Sequence, residues 1–258
     1  MIRKAKRGED KIFLEVFCGD GNLSVALRKR RCTVFSIDIR RGPHHDLRVA
    51  EVFNTVRGWL QAKLVWGTWL GTPCNSFSKA RRAPPGSSMP SALRSPACPR
   101  GLPDLPENDR AKLREGNALA DRAGQLQRLA LSLGVLGGEE NPASSYLWAL
   151  ASRQKFLQLV SVQDVVCDYC AFGRPFRART RLRLWGGRPL ELQARCSGRG
   201  TCSYSGRPHE QLTGTAGKEF ATAKKNSYPE GLCSILASYF VRERKERQAV
   251  ALWTRMRA

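Results

Sequence analysis

The 258-residue chain is 41% hydrophobic, enough for a packed core, which excludes global disorder. Lys and Arg number 44 against 22 Asp and Glu, giving +22 and a pI of about 10.3; an excess of that size points to a polyanionic partner, most simply nucleic acid. No run of about 20 apolar residues is present to cross a membrane, no helix pairs a basic face with an aromatic-rich one, and no apolar stretch follows the basic start as in a secretory signal.

Residues 1–10 form a basic tail. The apolar run at 11–17 has the length of a buried strand and ends at Gly19 and Gly21, which allow a close backbone approach and a turn. Asn22 is a candidate cap for a helix over 23–30, and residues 32–39 form a second β-rich run that carries Asp38 near its end. Strand, glycine turn, helix and strand make a βαβ unit, the building block of a parallel sheet. A helix over 49–60 and a strand over 62–69 continue the alternation, and that strand leads into Gly71-Thr72-Pro73-Cys74-Asn75-Ser76-Phe77-Ser78.

Residues 79–108 form a long basic loop, with six prolines between Pro84 and Pro103 and another at Pro106; such a loop in a compact domain is functional or disordered. A helix over 109–133 follows, weakened by Gly116 and Gly124, and then a short strand at Val135-Leu136 that runs into Glu139-Glu140-Asn141-Pro142. Strands over 160–166 and 180–185 complete the sheet. Residues 186–228 are rich in Gly, Arg, Ser and Cys with little periodicity, and residues 229–258 carry a final helix that starts at Pro229.

Nine cysteines, an odd number scattered along the chain, do not form a disulfide framework, so the expected setting is intracellular and reducing, with nucleus and cytoplasm both open. A reducing setting keeps a reactive thiol usable. Cys74, after a proline in a loop, suits attack on an electron-poor ring, provided that local charge (Lys79, Arg81 and Arg82 follow it) favours the thiolate. Cytosine C6 is such a centre: a thiolate adding there makes C5 nucleophilic enough to take a methyl group, and a carboxyl near N3, for which Glu140 is the candidate, stabilises the activated ring. The alternatives at single positions are a packing thiol at Cys74, an ordinary strand-end carboxylate at Glu140 and a purely structural turn at Gly19–Gly21.

Taken in order, Glu15-Val16-Phe17-Cys18-Gly19-Asp20-Gly21, Gly71 to Ala80 and Glu140-Asn141 resemble the cofactor loop, nucleophile loop and Glu-Asn motif of the cytosine-5 DNA methyltransferase family. Residues 169–181 resemble that family's Tyr-Gly-x-Pro-Gln-x-Arg-x-Arg motif, with Phe176 in place of glutamine and the arginines displaced by one residue. Pro142 replaces the usual valine. The resemblance implies an α/β, Rossmann-like S-adenosylmethionine-dependent methyltransferase fold over 11–185, with a short, irregular C-terminal appendage whose 186–228 segment contacts the target. It implies S-adenosyl-L-methionine as methyl donor, held by Phe17, Gly19, Gly21, Asp38, Asp46 and Pro73, and a cytosine flipped out of DNA. Cys74 then attacks C6, Glu140 engages N3, and an arginine among Arg177, Arg179 and Arg181 steadies the base. The same chemistry on RNA, and a catalytically silent module that only binds nucleic acid, are the alternatives.

The basic stretches 79–100 and 174–207 are the expected phosphate-binding surfaces. Cys196-x5-Cys202-x6-His209, joined by Cys167 or Cys170, is a candidate zinc set; the competing reading is packing thiols and no metal.

Overall fold

The strand Ile-Phe-Leu-Glu-Val (β1, Ile12–Val16) is buried at every position, because helices cover both faces of the sheet in which it lies. The structure, a computed structural model, describes residues 11–79, 91–212, 215–216, 219–220, 224 and 226–257. The basic tail 1–10 and Arg81 and Arg82 of the proline-rich loop lie outside these residues. β2 (Val34–Ile37), β3 (Val65–Leu70), β4 (Leu136–Pro142), β5 (Val162–Asp168) and β6 (Arg179–Trp185) join β1 in one sheet, in the order β2-β1-β3-β4-β6-β5. β1 to β4 run parallel, and β6 runs antiparallel to both β4 and β5. This is a mixed α/β, Rossmann-like fold.

Alternate residues of the strands feed two apolar layers. Phe13, Trp69, Leu182 and Leu184 meet α1 (Asn22–Lys29) and α5 (Glu230–Arg257) through Leu23, Leu27, Leu232, Leu236 and Phe240. Ile12, Leu14, Val16 and Leu70 meet α2 (Ala50–Gln61), α3 (Glu107–Ser132) and α4 (Ala151–Leu157) through Phe53, Val56, Leu126 and Phe156. The final helix is therefore part of the same core as the sheet.

Beyond shifts of one to three residues at element ends, three differences from the sequence reading bear on the site. Asn22 is the first residue of α1, and the cap position belongs to Gly21, whose φ of 77° is a left-handed conformation that glycine adopts without a side-chain clash. Asp38 lies beyond β2, where its carboxylate accepts from Arg40 N and caps a 3-10 turn, Ile39–Arg41. The strand into Glu140 is continuous from Leu136 through Pro142, because Gly137 and Gly138 admit the rings of Trp185 and Trp69 against the backbone. Between residues 186 and 212 there is no helix or strand, only a bridge pairing Thr201 with Pro208. A two-strand hairpin (β7, Thr215–Ala216; β8, Glu219–Phe220) precedes α5.

Candidate active site

The parallel strands present the ends of β1, β2, β3 and β4 along one edge, and antiparallel β6 begins at that same edge, with Pro142 opposite Thr180. Ligand sites of open α/β sheets lie outside the carboxyl ends of the strands, and the loops after β1, β2 and β3 leave the sheet there, beside the end of β4.

The loop after β1 is strained and tightly placed. Phe17 (φ 57°) and Gly19 (φ 52°) are left-handed, and Gly19 N donates to Asp38 Oδ2 at 2.8 Å, so the loop after β1 is fastened to the end of β2. Arg40 bridges Asp20 (3.1 Å) and Asp38 (3.5 Å) across this loop. Beneath it, Glu15 is fully buried, accepts a short bond from Ser24 Oγ, and leaves its Oε1 without a partner among the described residues. Burial pushes its carboxyl up to about 7, opposed by the Ser24 bonds. Asp46 lies past a second 3-10 turn, Pro43–His45, and is bound through both oxygens by Arg48, which holds its carboxyl below the usual range.

The loop after β3 carries Pro73 and the half-buried Cys74. Its conformation is set from several sides. Asn141 Nδ2 donates to Thr72 O at 2.6 Å, and Thr72 Oγ1 donates to Glu139 Oε1 at 2.7 Å. Tyr146 N donates to Phe77 O at 3.0 Å. Arg94, buried to 1% exposure, donates to Ser76 O and Oγ and lies 3.6 Å from the centre of the Phe77 ring. Lys79 lies over the Tyr146 ring at 5.3 Å.

Glu139 and Glu140 have opposite fates because successive strand residues face opposite sides. Glu139 is fully buried and accepts from Arg153, Gln127 and Thr72, which makes it a packing element. Glu140 is half-buried on the other face, where Thr180 Oγ1 donates to its Oε1 and the Tyr228 hydroxyl also bonds it. Desolvation pushes its carboxyl up to about 7, against the two hydroxyl bonds. The Tyr169 hydroxyl lies within electrostatic reach of both Glu140 and Cys74, with its own pKa raised well above the usual value, first by burial.

The three arginines do not join Glu140. Leu182 pairs with Glu140 in the sheet, so Thr180 shares its face, whereas Arg179 and Arg181 project from the opposite one. Arg179 holds Asp168 through two 3.0 Å bonds, and Arg181 reaches Asp164 at 3.2 Å and the Trp148 ring at 5.3 Å. Arg177 donates to the carbonyls of Cys196 and Gly198. A displacement of one residue along a strand exchanges its faces, and the arginine spacing of this chain is displaced by one.

Two features were missed by sequence reasoning. The segment before α5 returns to the loop after β1: Asn22 Nδ2 donates to Tyr228 O (2.8 Å) and Ser227 Oγ (3.1 Å), and Trp69 Nε1 donates to Tyr228 Oη (3.3 Å). A Cβ on Gly71 would lie 2.6 Å from Phe17 O and 2.8 Å from Tyr228 Oη, so the β1 loop, β3 loop and returning segment meet at that glycine. Gly116 and Asn117 of α3 support the loop after β3: Asn117 Oδ1 accepts from Arg94 at 2.8 Å, and Gly116 lets the helix approach Ser76. The only sequence signals for these were a glycine inside a strong helix and an asparagine at a helix start.

Cys196, Cys202 and His209 come together, and their companion is Cys170; Cys167 is buried in the main core instead.

No family model matches this chain, and no curated protein matches it. Among solved structures, a methyltransferase of Entamoeba histolytica, EhMeth, is similar at 12% identity with a TM-score of 0.42, over 72% of this chain and 57% of that one. The chain thus spans less than two-thirds of that structure's length. A likeness so distant leaves the strand order and the site geometry to stand on their own.

Proposed function

We propose that this chain is an S-adenosylmethionine-dependent methyltransferase that acts on C5 of cytosine in DNA. The observation that carries the reading is Glu140: a half-buried carboxyl with its pKa raised to about 7, at the same sheet edge as the Pro73-Cys74 loop and fastened to it through the neighbouring Asn141. A group of that pKa can hold a proton at neutral pH and share it with a ring nitrogen.

In this reading Cys74 Sγ adds as thiolate to C6, and the electron pair displaced through the ring is met at N3 by the Glu140 proton. A methyl group supplied by the donor would be accepted at C5; water would then take the C5 proton, the thiolate would leave C6, and N3 would return its proton to Glu140, restoring the aromatic ring. The Tyr228 and Thr180 hydroxyls orient Glu140. Asn141 and Arg94 orient the loop that carries the thiol.

The residues fit the methyl donor in three respects. Left-handed Phe17 and Gly19 open the backbone for a ligand, the orphaned Glu15 Oε1 offers a buried acceptor, and Asp38 stands at the end of β2. Phe17, Gly19, Gly21, Asp38 and Pro73 would hold the cofactor, and Asp46 with Arg48 would order the turn beside it. When bound, the cofactor supplies an electrophilic methyl group on a sulfonium. Arg177, Arg179 and Arg181 take positioning roles through Asp168, Asp164 and the 194–209 loop.

The test is transfer of labelled methyl groups to unmethylated DNA and to RNA, with Cys74→Ala alongside. Label at cytosine C5 of DNA, absent with the variant, is the expected result. Label in RNA alone would change the substrate class. Binding of nucleic acid without transfer or cofactor binding would overturn the enzyme reading in favour of a silent module.

A further inference from the structure

Among the described residues, the irregular region 186–212 has almost no apolar core of its own. Its buried centre is a separate cluster of three cysteines, Cys170, Cys196 and Cys202, each no more than 3% exposed. His209 adds a fourth donor, and the ligand atoms of all four lie within 4.8 Å of one another. Cys196 Sγ and His209 Nε2 are 3.7 Å apart. Bonds of about 2.3 Å to sulfur and 2.0–2.1 Å to nitrogen at tetrahedral angles put such a pair about 3.6 Å apart.

The surroundings are built for thiolates. Ser203 N and Oγ each lie 3.4 Å from Cys196 Sγ, and the Gly198 amide also bonds it. The amides of Tyr204 and Ser205, two and three residues past Cys202, bond its sulfur. Gly206, left-handed at φ 68°, turns the chain back so that its N donates to Cys202 O at 2.9 Å. A packing cysteine needs no such ring of donors. Charge is balanced from outside: three thiolates and a neutral imidazole around a divalent ion leave one negative charge, and Arg179 lies within electrostatic reach of Cys196 and Cys170.

We infer that Cys170, Cys196, Cys202 and His209 bind one Zn²⁺ in a closed, tetrahedral, structural site. Binding releases the thiol protons still present to solvent. With four protein ligands no position is left for a substrate, so the ion does no chemistry; it replaces the missing core of the 194–209 loop. The loop is then fixed to the sheet edge, because Cys196 N donates to Asp168 Oδ2 (2.9 Å) and Arg177 holds the carbonyls of Cys196 and Gly198. It carries Arg195, Arg199 and Arg207 exposed to solvent. The inference does not depend on the methyl-transfer reading.

The test uses the full chain, purified under reducing conditions without chelator. Elemental analysis should find one zinc per chain. Cobalt(II) substitution should give the strong visible bands of a tetrahedral site with a thiolate charge-transfer band. Cys202→Ser should lose at least nine-tenths of the metal, while Cys167→Ser and Cys233→Ser should keep it. If Cys202→Ser fails to fold, His209→Cys decides: it should fold, keep one metal and shift the cobalt spectrum towards four thiolates. A folded wild-type chain with no stoichiometric zinc and no uptake of Zn²⁺ or Co²⁺, a disulfide within the trio in its place, or a His209→Cys spectrum identical to wild type, would each overturn the inference.

Discussion

Arg94 donates to both the carbonyl (3.0 Å) and the hydroxyl (2.9 Å) of Ser76, two residues beyond Cys74, while its remaining nitrogen reaches Pro99 O and Asn117 Oδ1. One buried guanidinium thus fixes the candidate nucleophile loop against α3 and the chain before it. Burial brings its pKa down to about 10, so it stays charged at neutral pH. Lysine cannot reproduce a planar fork that serves four acceptors. Arg94→Lys should destabilise the protein by about 2–3 kcal/mol. It should also lower methyl-transfer kcat at least tenfold, because a small misplacement of a reacting group is expensive in rate. Urea unfolding and steady-state kinetics read the two effects, and no change in either would remove Arg94 from the positioning of the loop.

Glycine in a helix normally weakens it, and alanine is the usual remedy. Gly58 in α2 has open space where a Cβ would stand, so Gly58→Ala should stabilise by about 0.5–1 kcal/mol. Gly116 in α3 should show the opposite sign, because a Cβ there would lie 2.2 Å from Ser76 Oγ and 3.1 Å from Arg94. Denaturant midpoints of the two variants, measured side by side, test the contrast; equal shifts would mean that the loop yields freely.

Glu140 sets a pH dependence with a definite sign. Its carboxyl rises from 4.5 to about 7 on folding, so between these values the folded chain holds a proton that the unfolded chain has lost. Stability from this group is therefore greatest at low pH, falls as pH rises through that window, and is flat above about 7. Glu15, raised to about 7 by burial, acts in the same direction. Transfer that needs the Glu140 proton should decline above about pH 7, and Glu140→Gln should remove that limb and leave a lower, flatter profile. Thr180→Val deletes a hydrogen bond that favours the carboxylate, so the limb should move to higher pH. A limb that stays in place with Thr180→Val would separate Thr180 from the proton.

Asn22→Ala removes two hydrogen bonds that hold Ser227 and Tyr228 over the loop after β1, where the proposed cofactor would sit. At about 1 kcal/mol each, their loss should raise the S-adenosylmethionine Kd by up to roughly thirtyfold. Isothermal titration gives the Kd directly. An unchanged Kd would mean that the returning segment covers something other than the cofactor.

Much of this arrangement was legible in the sequence because it is local. The run at 11–17, the glycines after it and Asp38 lie within one βαβ unit; Gly71–Cys74 follow β3, and Glu140-Asn141 lie at the end of the adjacent parallel β4. What was not legible depends on long-range register. That the arginines of β6 miss Glu140 follows from Leu182, rather than Arg181, standing opposite it, a pairing that only the folded sheet decides. The helix Ala151–Leu157 has seven residues and buries only Arg153 and Phe156, too little for a periodic signal. Cys170 and Cys202 are separated by the whole of β6, so no spacing rule could have chosen Cys170 over Cys167.

The bond between Asn22 and Tyr228 spans 206 residues. On a ribosome the glycine loop emerges 206 residues ahead of Tyr228, so a chain made only as far as β6 has strands and a thiol loop without that cover. Ligand affinity at that edge would consequently report on whether synthesis has passed residue 228. Termination anywhere before residue 228 would leave a basic fragment without the Ser227 and Tyr228 contacts to that loop.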